Sequence, residues 1–376
     1  MKNVIKTIQP LLESADIRIN GSRPWDIQVY DDRLFERVIR KSSLGLGEAY
    51  MDKWWNAEAL DRFFYKVLQA GLEEKVMYKP VVILEYLKSL LTNRQSKRKA
   101  FEIGDYHYNI GNSLYRTMLD KRMVYTCGYW QEADTLDEAQ EDKLELVCRK
   151  IGLQEGQRVL DIGCGWGSFA KYAAENYGAE VVGITVSDEQ VQLGREQCKG
   201  LPVEIRLQDY REINEPFDHI VSLGMIEHVG SKNYRTLMQV VHRCLKDEGV
   251  FLLHTIGSNR SVHTTDPWIE KYIFPNSHLP SIRQLALASE GLFVMEDWQN
   301  FGPYYDKTLM AWHQNFEDHW DELKSNYSER FYRMWKYYLL SCAGSFRARK
   351  NQLWQIVFSK QGIPGGFIPP RYRREE

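Results

Sequence analysis

A segment in the middle of the chain, residues 159–167, constrains the fold more than any other. It reads VLDIGCGWG, an apolar strand that runs into alternating glycines, and a helix is predicted from Ser168. Glycines at alternate positions allow positive φ angles and let backbone N–H groups approach a ligand, while the helix N-terminus adds partial positive charge. The segment therefore predicts a strand–turn–helix unit that binds a nucleotide-like cofactor.

The spacing of the glycines distinguishes between cofactors. The dinucleotide fingerprint is G-x-G-x-x-G, whereas here the glycines are Gly163, Gly165 and Gly167, so a NAD-linked oxidoreductase is disfavoured. A D-x-G-x-G-x-G turn, opened here by Asp161, is typical of S-adenosylmethionine (SAM) methyltransferases, in which the acid and the turn face the methionine end. On the motif alone, a glycine turn without a ligand remains the alternative.

Alternating helices and apolar strands follow from residue 138 onward. The predicted strands, separated mostly by helices, are 158–162, 180–184, 203–208, 219–223 and 250–255. This alternation implies a parallel sheet covered by helices, whose ligands bind beyond the carboxyl ends of the strands. We predict an α/β fold, a doubly wound Rossmann-like methyltransferase domain, with a smaller and mainly helical N-terminal domain.

The predicted N-terminal domain, residues 1–92, is expected to associate with lipid or membrane. Apolar residues recur at helical spacing in it, and Gly45 and Gly47 are expected to break a helix. Residues 93–105 are predicted to be a basic linker and 106–376 the catalytic domain. The linker is most simply a solvated connection, with contact to anionic lipid headgroups as the alternative.

Composition narrows the class of protein. With 376 residues, 43% of them hydrophobic, the chain can bury a large core, and a net charge of −2 argues against general nucleic-acid binding. Six cysteines without metal-ligand spacing indicate reduced thiols. The chain shows neither a signal-peptide core nor a run of apolar residues long enough to span a bilayer. We expect a cytoplasmic protein, peripherally associated with the inner membrane surface.

Polar side chains at the ends of the second and third predicted strands are candidates for cofactor binding. Many SAM and NAD domains have an acid at the second strand end that binds the ribose, but here Thr185 ends the strand and Gln190 follows. These two are predicted to contact the ribose instead. Beyond the third strand, Asp209 is expected to accept a hydrogen bond from adenine and Tyr210 to stack. A surface turn is the alternative for Asp209.

Further polar groups lie in apolar surroundings. Glu227 and His254 fall where two neighbouring strands are predicted to end, so they should converge and have shifted pKa values. Taken singly, His254 could be a core histidine, Cys127 a small hydrophobic residue and Tyr305 a packing residue. Their occurrence together with the SAM turn favours a catalytic site.

Several motifs together resemble those of the cyclopropane-fatty-acyl-phospholipid synthases and, more distantly, the mycolic acid cyclopropane synthases. The resemblance covers nearly the whole chain, including an N-terminal domain that the mycolic acid enzymes lack. Two positions depart from the family pattern: Thr126 replaces a common Ser, and Asn109 replaces an Asp. The resembling segments are 43–48, 107–112, 125–127, 161–167, 224–230, 254–258, 266–269, 341–347 and 352–355.

The resemblance implies that the methyl carbon of SAM is added to the cis double bond of an unsaturated acyl chain in a membrane phospholipid. A carbocation then closes to a cyclopropane ring when bound bicarbonate removes a proton, and a homodimer is implied as well. The implied catalytic residues are Cys127, Glu227, His254, Ile256 and Tyr305, which hold bicarbonate, and His107. The predicted cofactor contacts are Tyr125, Thr126, Asp161, Gly163, Gly165, Thr185, Gln190, Gln208, Asp209, Tyr210 and Gly224.

Other functions remain as alternatives at this point. A SAM C-methyltransferase would produce a methyl-branched or methylene lipid by losing the proton elsewhere. A small-molecule N- or O-methyltransferase would have no evident use for Cys127, Glu227, His254 and Tyr305 together. A non-catalytic lipid-binding module is disfavoured because every catalytic position is occupied.

Overall fold

In a computed structural model, residues 2–72, 111–262 and 264–371 are described, and the chain divides into two compact units. The first unit comprises residues 1–92, 263–275 and 305–351, and the second comprises the remainder. The predicted linker and His107 lie outside the described residues. The predicted division assigns 305–351 to the catalytic domain, whereas the compact units group these residues with the N-terminal ones.

The first unit is mainly helical. A short antiparallel pair of strands, β1 (Gln28–Val29) and β2 (Trp55–Asn56), lies among its helices. None of the described helices is both long and apolar enough to cross a bilayer. The helices among the described residues of this unit are Lys2–Ser14, Arg33–Met51, Leu60–Gln69, Pro267–Tyr272, most of Pro303–Asp318, Trp320–Leu323 and Glu329–Arg347.

The expectation that Gly45 and Gly47 break a helix is wrong. Helix Arg33–Met51 runs through both glycines, and the non-helical residue within it is Ser42, at φ 52°. A Cβ on Gly47 would lie 2.3 Å from Cδ1 of the buried Trp268 indole. This glycine is therefore needed because an aromatic ring packs directly on the helix backbone, a reason that the sequence pattern did not reveal.

The second unit is built on a seven-stranded sheet with the order β5-β4-β3-β6-β7-β9-β8. Strand β3 pairs in parallel with β4 and β6, β4 with β5, and β6 with β7, whereas β8 and β9 are antiparallel. From β3 to β5 successive strands are added on one side of β3, and β6 and β7 are added on its other side. The crevice beyond the carboxyl ends of β3 and β6, where this order switches, is therefore the expected ligand position. The strands are β3 (Arg158–Ile162), β4 (Glu180–Thr185), β5 (Val203–Leu207), β6 (Phe217–Leu223), β7 (Leu245–Ser258), β8 (Val294–Asn300) and β9 (Asn351–Ser359).

Helices connect these strands and cover the sheet. Apolar clusters built from strand and helix side chains, such as Ile220 with Leu237 and Val159 with Phe169, form its core. The helices are Asn112–Met118, Leu136–Ile151, Ser168–Tyr177, Asp188–Gln197, Tyr234–Cys244 and Ile282–Ser289, with single 3-10 turns at Tyr210–Glu212, Ile226–His228 and Ser231–Asn233. The five strands predicted from the sequence are present, while β8 and β9 were not predicted.

Candidate active site

The glycine turn after β3 is shaped by one very close contact. Gly163 has φ +81°, and a Cβ there would lie 2.6 Å from both Cβ and Cγ of Met225, which follows β6. A side chain at this position would therefore be excluded both by backbone conformation and by space. The turn leads into helix Ser168–Tyr177, so it presents a helix N-terminus at the carboxyl edge of the sheet.

Asp161, the acid that precedes the turn, is almost fully buried at 1% exposure. Among the described residues its Oδ1 has no hydrogen-bond partner. Burial raises the pKa of Asp161 to about 7, and the positive charge of Lys143 opposes this rise. A buried carboxyl oxygen without a partner at this position is suited to a polar ligand group.

The polar residues predicted to bind ribose and adenine are engaged with other protein groups. The Thr185 hydroxyl donates to Oε1 of Gln190 over 2.6 Å. Both carboxylate oxygens of Asp209 accept from the Arg211 guanidinium at 2.7 Å. Gln208 is half-buried and donates its backbone N–H to the Thr185 carbonyl. Thr185 and Asp209 are thus brought to neighbouring strand ends, with partners that a ligand would have to share or displace.

Glu227 and the segment after His254 are in direct contact. Strand β6 ends at Leu223 opposite His254, while β7 continues to Ser258, so His254 lies within its strand rather than at the end. The backbone N–H of Ile256 donates to Oε1 of Glu227 over 2.7 Å. The pairing of β6 with β7 therefore places the Glu227 carboxyl against the Ile256 backbone, on the strand that also contains His254.

Two buried polar atoms here lack hydrogen-bond partners among the described residues: Oε2 of Glu227 and Nε2 of His254. The other ring nitrogen of His254, Nδ1, lies 3.4 Å from Nε2 of the buried Gln355. Unpaired buried polar atoms are unfavourable in a folded protein unless a ligand or water satisfies them. Their occurrence on β7 and on the 3-10 turn that follows the neighbouring strand β6 indicates a place for a small polar species.

The pKa shifts at this end of the sheet follow from burial. Burial raises the pKa of Glu227 to about 7, although the Ile256 N–H acts to lower it. Burial lowers the pKa of His254 well below its ordinary value, and the positive charges of Lys143 and Lys150 act in the same direction. The imidazole is therefore neutral at neutral pH, while the carboxyl can gain or lose a proton there.

Residues 125–127 lie against the turn that follows β6. Gly224 has φ +76°, and a Cβ there would lie 2.7 Å from Cγ2 of Thr126. Tyr125 packs edge-on against Tyr115, with 5.1 Å between ring centroids. Cys127 is fully buried and donates its thiol to the Gly128 carbonyl. The predicted residues Tyr125, Thr126 and Gly224 are thus part of one packed arrangement.

Two residues that lie beside this segment were not predicted from the sequence. On helix Leu136–Ile151, Nζ of Lys143 donates to the Thr126 hydroxyl over 3.0 Å, and Nε2 of Gln140 donates to the Thr126 carbonyl over 2.7 Å. Both side chains are buried. The available signal was a glutamine and a lysine three residues apart on the same face as the apolar residues of a predicted helix.

Tyr305 belongs to the first unit rather than the second. Its ring packs on Phe346, with 4.6 Å between centroids, and edge-on against Trp312. The role implied for Tyr305 beside bicarbonate stays a prediction, as does the role of His107.

Comparison with known proteins shows the relationship directly. The family model described as "Mycolic acid cyclopropane synthetase" matches residues 95–356. The chain is 54% identical over 365 residues to the cyclopropane-fatty-acyl-phospholipid synthase of Escherichia coli, covering 97% of this chain and 95% of that protein. A probable fatty acid methyltransferase of Pseudomonas putida is 37% identical over 293 residues, covering 74% of each chain.

Solved structures agree. The cyclopropane synthase MmaA2 of Mycobacterium tuberculosis is 31% identical with a TM-score of 0.65, covering 69% of this chain and 98% of that one. Mycolic acid cyclopropane synthase CmaA1 complexed with SAH and CTAB has the same TM-score and coverage at 32% identity. Coclaurine N-methyltransferase, at 21% identity and a TM-score of 0.69, covers 84% of this chain and 99% of that one and shares the fold.

These findings confirm three predictions from the sequence: the resemblance to cyclopropane synthases, the Rossmann-like fold and the class of SAM-dependent methyltransferases. The individual site residues, bicarbonate, the homodimer and membrane association stay predictions. Because the family model covers most of the sequence and close relatives match almost its full length, the chain belongs to the mycolic acid cyclopropane synthetase family.

Proposed function

We propose that this protein transfers the methyl carbon of SAM to the cis double bond of an unsaturated acyl chain in a membrane phospholipid and closes a cyclopropane ring. The observation that carries the proposal is a pair of buried atoms, Glu227 Oε2 and His254 Nε2, that have no hydrogen-bond partner among the described residues and lie beside a SAM-type glycine turn. High identity to a cyclopropane-fatty-acyl-phospholipid synthase supports the same activity.

The methyl donor would be held by the turn and the strand ends next to it. The N-terminus of helix Ser168–Tyr177 suits a carboxylate, while buried Asp161 suits an ammonium group. SAM supplies an electrophilic methyl group on a sulfonium. Asp209 and Thr185 are the candidates to bind the nucleoside part of SAM. Each would then have to form a hydrogen bond with the ligand in addition to, or in place of, its present bond to Arg211 or Gln190.

The site also fits bicarbonate, which would supply a base in an apolar pocket. His254 is neutral, its Nε2 has no partner in the part of the chain that the structure describes, and Glu227 can hold a proton near neutral pH, so both are able to hydrogen-bond an anion. The charges of Lys143 and Lys150 act on His254, and a positive potential there favours an anion. Cys127 and the Ile256 backbone are further candidates for contact, although the Ile256 N–H already donates to Glu227.

The alkene is a weak nucleophile, so this protein's main contribution would be positioning and exclusion of water. Glu227 and His254 would orient the base toward the carbon that loses its proton when the ring closes. The cationic acyl chain would be stabilised by aromatic faces, which attract a cation by about 1–2 kcal/mol each in a dry site. Tyr129, Phe301 and Tyr304 pack together in this unit, and Phe301 lies 5.8 Å from His254 between ring centroids.

The proposal is tested by incubating the protein with SAM and vesicles of cis-unsaturated phospholipid, followed by mass analysis and proton NMR of the released fatty acids, because the cyclopropane, methylene and methyl-alkene products have the same mass. We expect acyl chains that have gained one CH2 and lost their double bond. A methyl-branched or methylene fatty acid would instead establish the related C-methyltransferase activity. SAM binding without any change in the lipid would indicate a non-catalytic lipid-binding protein.

We further propose that the protein docks on the membrane as a peripheral homodimer, with the basic linker contacting anionic headgroups. The support is the charge of Arg94, Lys97, Arg98 and Lys99 together with the chemistry of the lipid substrate. Neutralising these four residues should reduce cosedimentation with anionic vesicles. Unchanged vesicle binding would exclude the linker, and light scattering that gives a monomer mass would exclude the dimer.

A further inference from the structure

We propose that Lys143 is a positioning residue of the methyl-donor site: its ammonium group holds the Thr126 hydroxyl and thereby fixes residues 125–127 against Gly224. The inference rests on the proposed function, because residues 125–127 and Gly224 are among the predicted contacts of SAM. Lys143 itself is assigned no contact with SAM or with the lipid. Its effect would pass through Thr126.

The first observation is how deeply Lys143 is buried. Its side chain is 1% exposed, within helix Leu136–Ile151. Burying an ammonium group is unfavourable unless hydrogen bonds or ion pairs compensate for the loss of water, and lysine is rarely fully buried without a partner. The hydrogen-bond acceptor of Lys143 is a neutral hydroxyl, that of Thr126, at 3.0 Å. An apolar side chain of similar length would serve packing equally well, so burial alone does not account for a lysine.

The second observation is that Thr126 is held at two points by the same helix. Lys143 binds its hydroxyl, and Gln140, which lies one turn earlier on the same face, donates to its carbonyl over 2.7 Å. The helix itself is well defined, with a capping box at Thr135 and Glu138 and a left-handed C-cap at Gly152. A rigid element therefore sets both the position and the rotamer of Thr126.

The third observation connects Thr126 to Gly224, which follows β6, and through it to His254 on β7. Cγ2 of Thr126 fills the space that a Gly224 Cβ would need, at 2.7 Å. The Gly224 N–H in turn donates to the His254 carbonyl over 2.9 Å. Because the rotamer held by Lys143 directs this methyl group at Gly224, loss of the lysine should loosen the packing between residues 125–127 and the end of β6.

Charge supports the same role. Asp120 and Asp161 are buried carboxylates within electrostatic range of Lys143, and both act to raise its pKa against the lowering effect of burial, which brings it to about 8. The Lys143 ammonium likewise favours the ionised form of Asp161 at the start of the glycine turn. An ionised Asp161 is the form that would bind the ammonium group of the methyl donor.

The same helix offers a matched control. Lys150, two turns further on, is also fully buried, but its charge lies 3.4 Å from Asp297 on β8. Lys150→Met removes a buried ammonium from the same helix without touching Thr126. A general effect of removing a buried lysine would appear in both variants, whereas a positioning effect on the SAM site should appear only in Lys143→Met.

The experiment measures binding of S-adenosylhomocysteine by calorimetry, thermal unfolding, and KM for SAM against kcat. Loss of a charged hydrogen bond that orders the site should weaken S-adenosylhomocysteine binding about tenfold in Lys143→Met and raise KM for SAM similarly. Lys150→Met should bind S-adenosylhomocysteine like the wild type, whatever its effect on kcat, because the Lys150 charge acts on His254 and not on Thr126. Thr126→Val keeps the methyl group but removes the hydroxyl that Lys143 holds, so it should weaken binding to a similar extent.

If Lys143→Met does not fold, the double variant Lys143→Met/Thr126→Val replaces both partners with apolar groups and should fold. It should bind S-adenosylhomocysteine no more weakly than the weaker single variant, because both substitutions remove one interaction. Normal binding by Lys143→Met or by the double variant, or equal losses in Lys143→Met and Lys150→Met, would overturn the inference. A wild-type protein that neither binds S-adenosylhomocysteine nor alkylates lipid would instead overturn the proposed function.

Discussion

The two ends of the parallel sheet's carboxyl edge differ in how their polar groups are satisfied. Beyond β4 and β5, Thr185 pairs with Gln190, and Asp209 pairs with Arg211. Beyond β6 and beside it on β7, Glu227 Oε2 and His254 Nε2 have no partner among the described residues. A ligand at the first end would have to replace hydrogen bonds that Thr185 and Asp209 already make within the protein. A ligand at the second end would supply hydrogen bonds that Glu227 and His254 do not yet make. Substitutions at the second end should therefore affect chemistry, and those at the first should affect binding.

The largest effect is expected from Glu227→Gln, which keeps the shape of the side chain and removes its charge. If Glu227 orients the base, turnover on unsaturated phospholipid should fall by about 10²- to 10⁴-fold. Binding of S-adenosylhomocysteine should stay close to that of the wild type. Activity is measured by fatty-acid mass analysis with and without added bicarbonate. Unchanged turnover would remove Glu227 from the mechanism.

The next effect is expected from Gly163→Ala in the glycine turn. The added Cβ would meet Met225 at 2.6 Å in a backbone conformation with φ +81°. We expect a loss of about 2–4 kcal/mol in the free energy of unfolding, with weaker S-adenosylhomocysteine binding. Gly200→Ala is the control, because Gly200 has φ +86° but nothing within 4 Å of its Cβ position. Equal losses in the two variants would show that the contact with Met225 is unimportant.

A smaller effect with the opposite sign is expected for the stability of Glu227→Gln. The folded pKa of Glu227, about 7, exceeds its ordinary value of 4.5, so the folded protein binds this proton more tightly than the unfolded chain. The wild type therefore loses stability as pH rises from about 4.5 to about 7. Glutamine does not titrate, so the variant should be more stable by about 1–3 kcal/mol at pH 8.

Thermal or urea unfolding at pH 5 and pH 8 checks this pH dependence. The difference between Glu227→Gln and the wild type should grow with pH, while Glu290→Gln, at an exposed position, should show no such trend. A variant that loses stability at pH 8 would mean that Glu227 is satisfied by the protein itself. That result would erase the contrast between the two ends of the sheet.

The smallest effect is expected from Thr185→Val at the other end. Its hydroxyl already donates to Gln190, so the methyl donor gains little net hydrogen bonding there. We expect S-adenosylhomocysteine to bind about three- to tenfold more weakly, with kcat unchanged, whereas Thr185→Ser should bind normally. A large loss of kcat in Thr185→Val would contradict the division between binding and chemistry.

The sequence allowed the central strands to be predicted because β3 to β7 contain apolar runs bounded by glycines or polar turns. Strand β8 was missed since its residues, VMEDWQN, are mostly polar and only partly buried. Gly47 was misread because the ring that packs on it, Trp268, lies more than 200 residues away in the chain. Such long-range contacts leave no periodic signal.

Some contacts of the candidate site could likewise be predicted from the sequence, and others could not. The convergence of Glu227 with the strand of His254 could be predicted, because parallel pairing aligns neighbouring strands. The pairing of Asp209 with Arg211 could not, since it depends on the fold of a single 3-10 turn. Lys143 was overlooked because one lysine in a predicted helix ordinarily faces solvent.

Ring closure distinguishes the proposed activity from simple C-methylation, and the fate of the donated methyl group shows which of the two occurs. SAM carrying a CD3 methyl group is supplied with vesicles of cis-unsaturated phospholipid, and the product fatty acid is examined by mass spectrometry and NMR. We expect a CD2 bridge between the two former alkene carbons and no remaining double bond, because the donated methyl group itself loses a deuteron when the ring closes. An intact CD3 branch, or a CD2 group on a retained double bond, would contradict it.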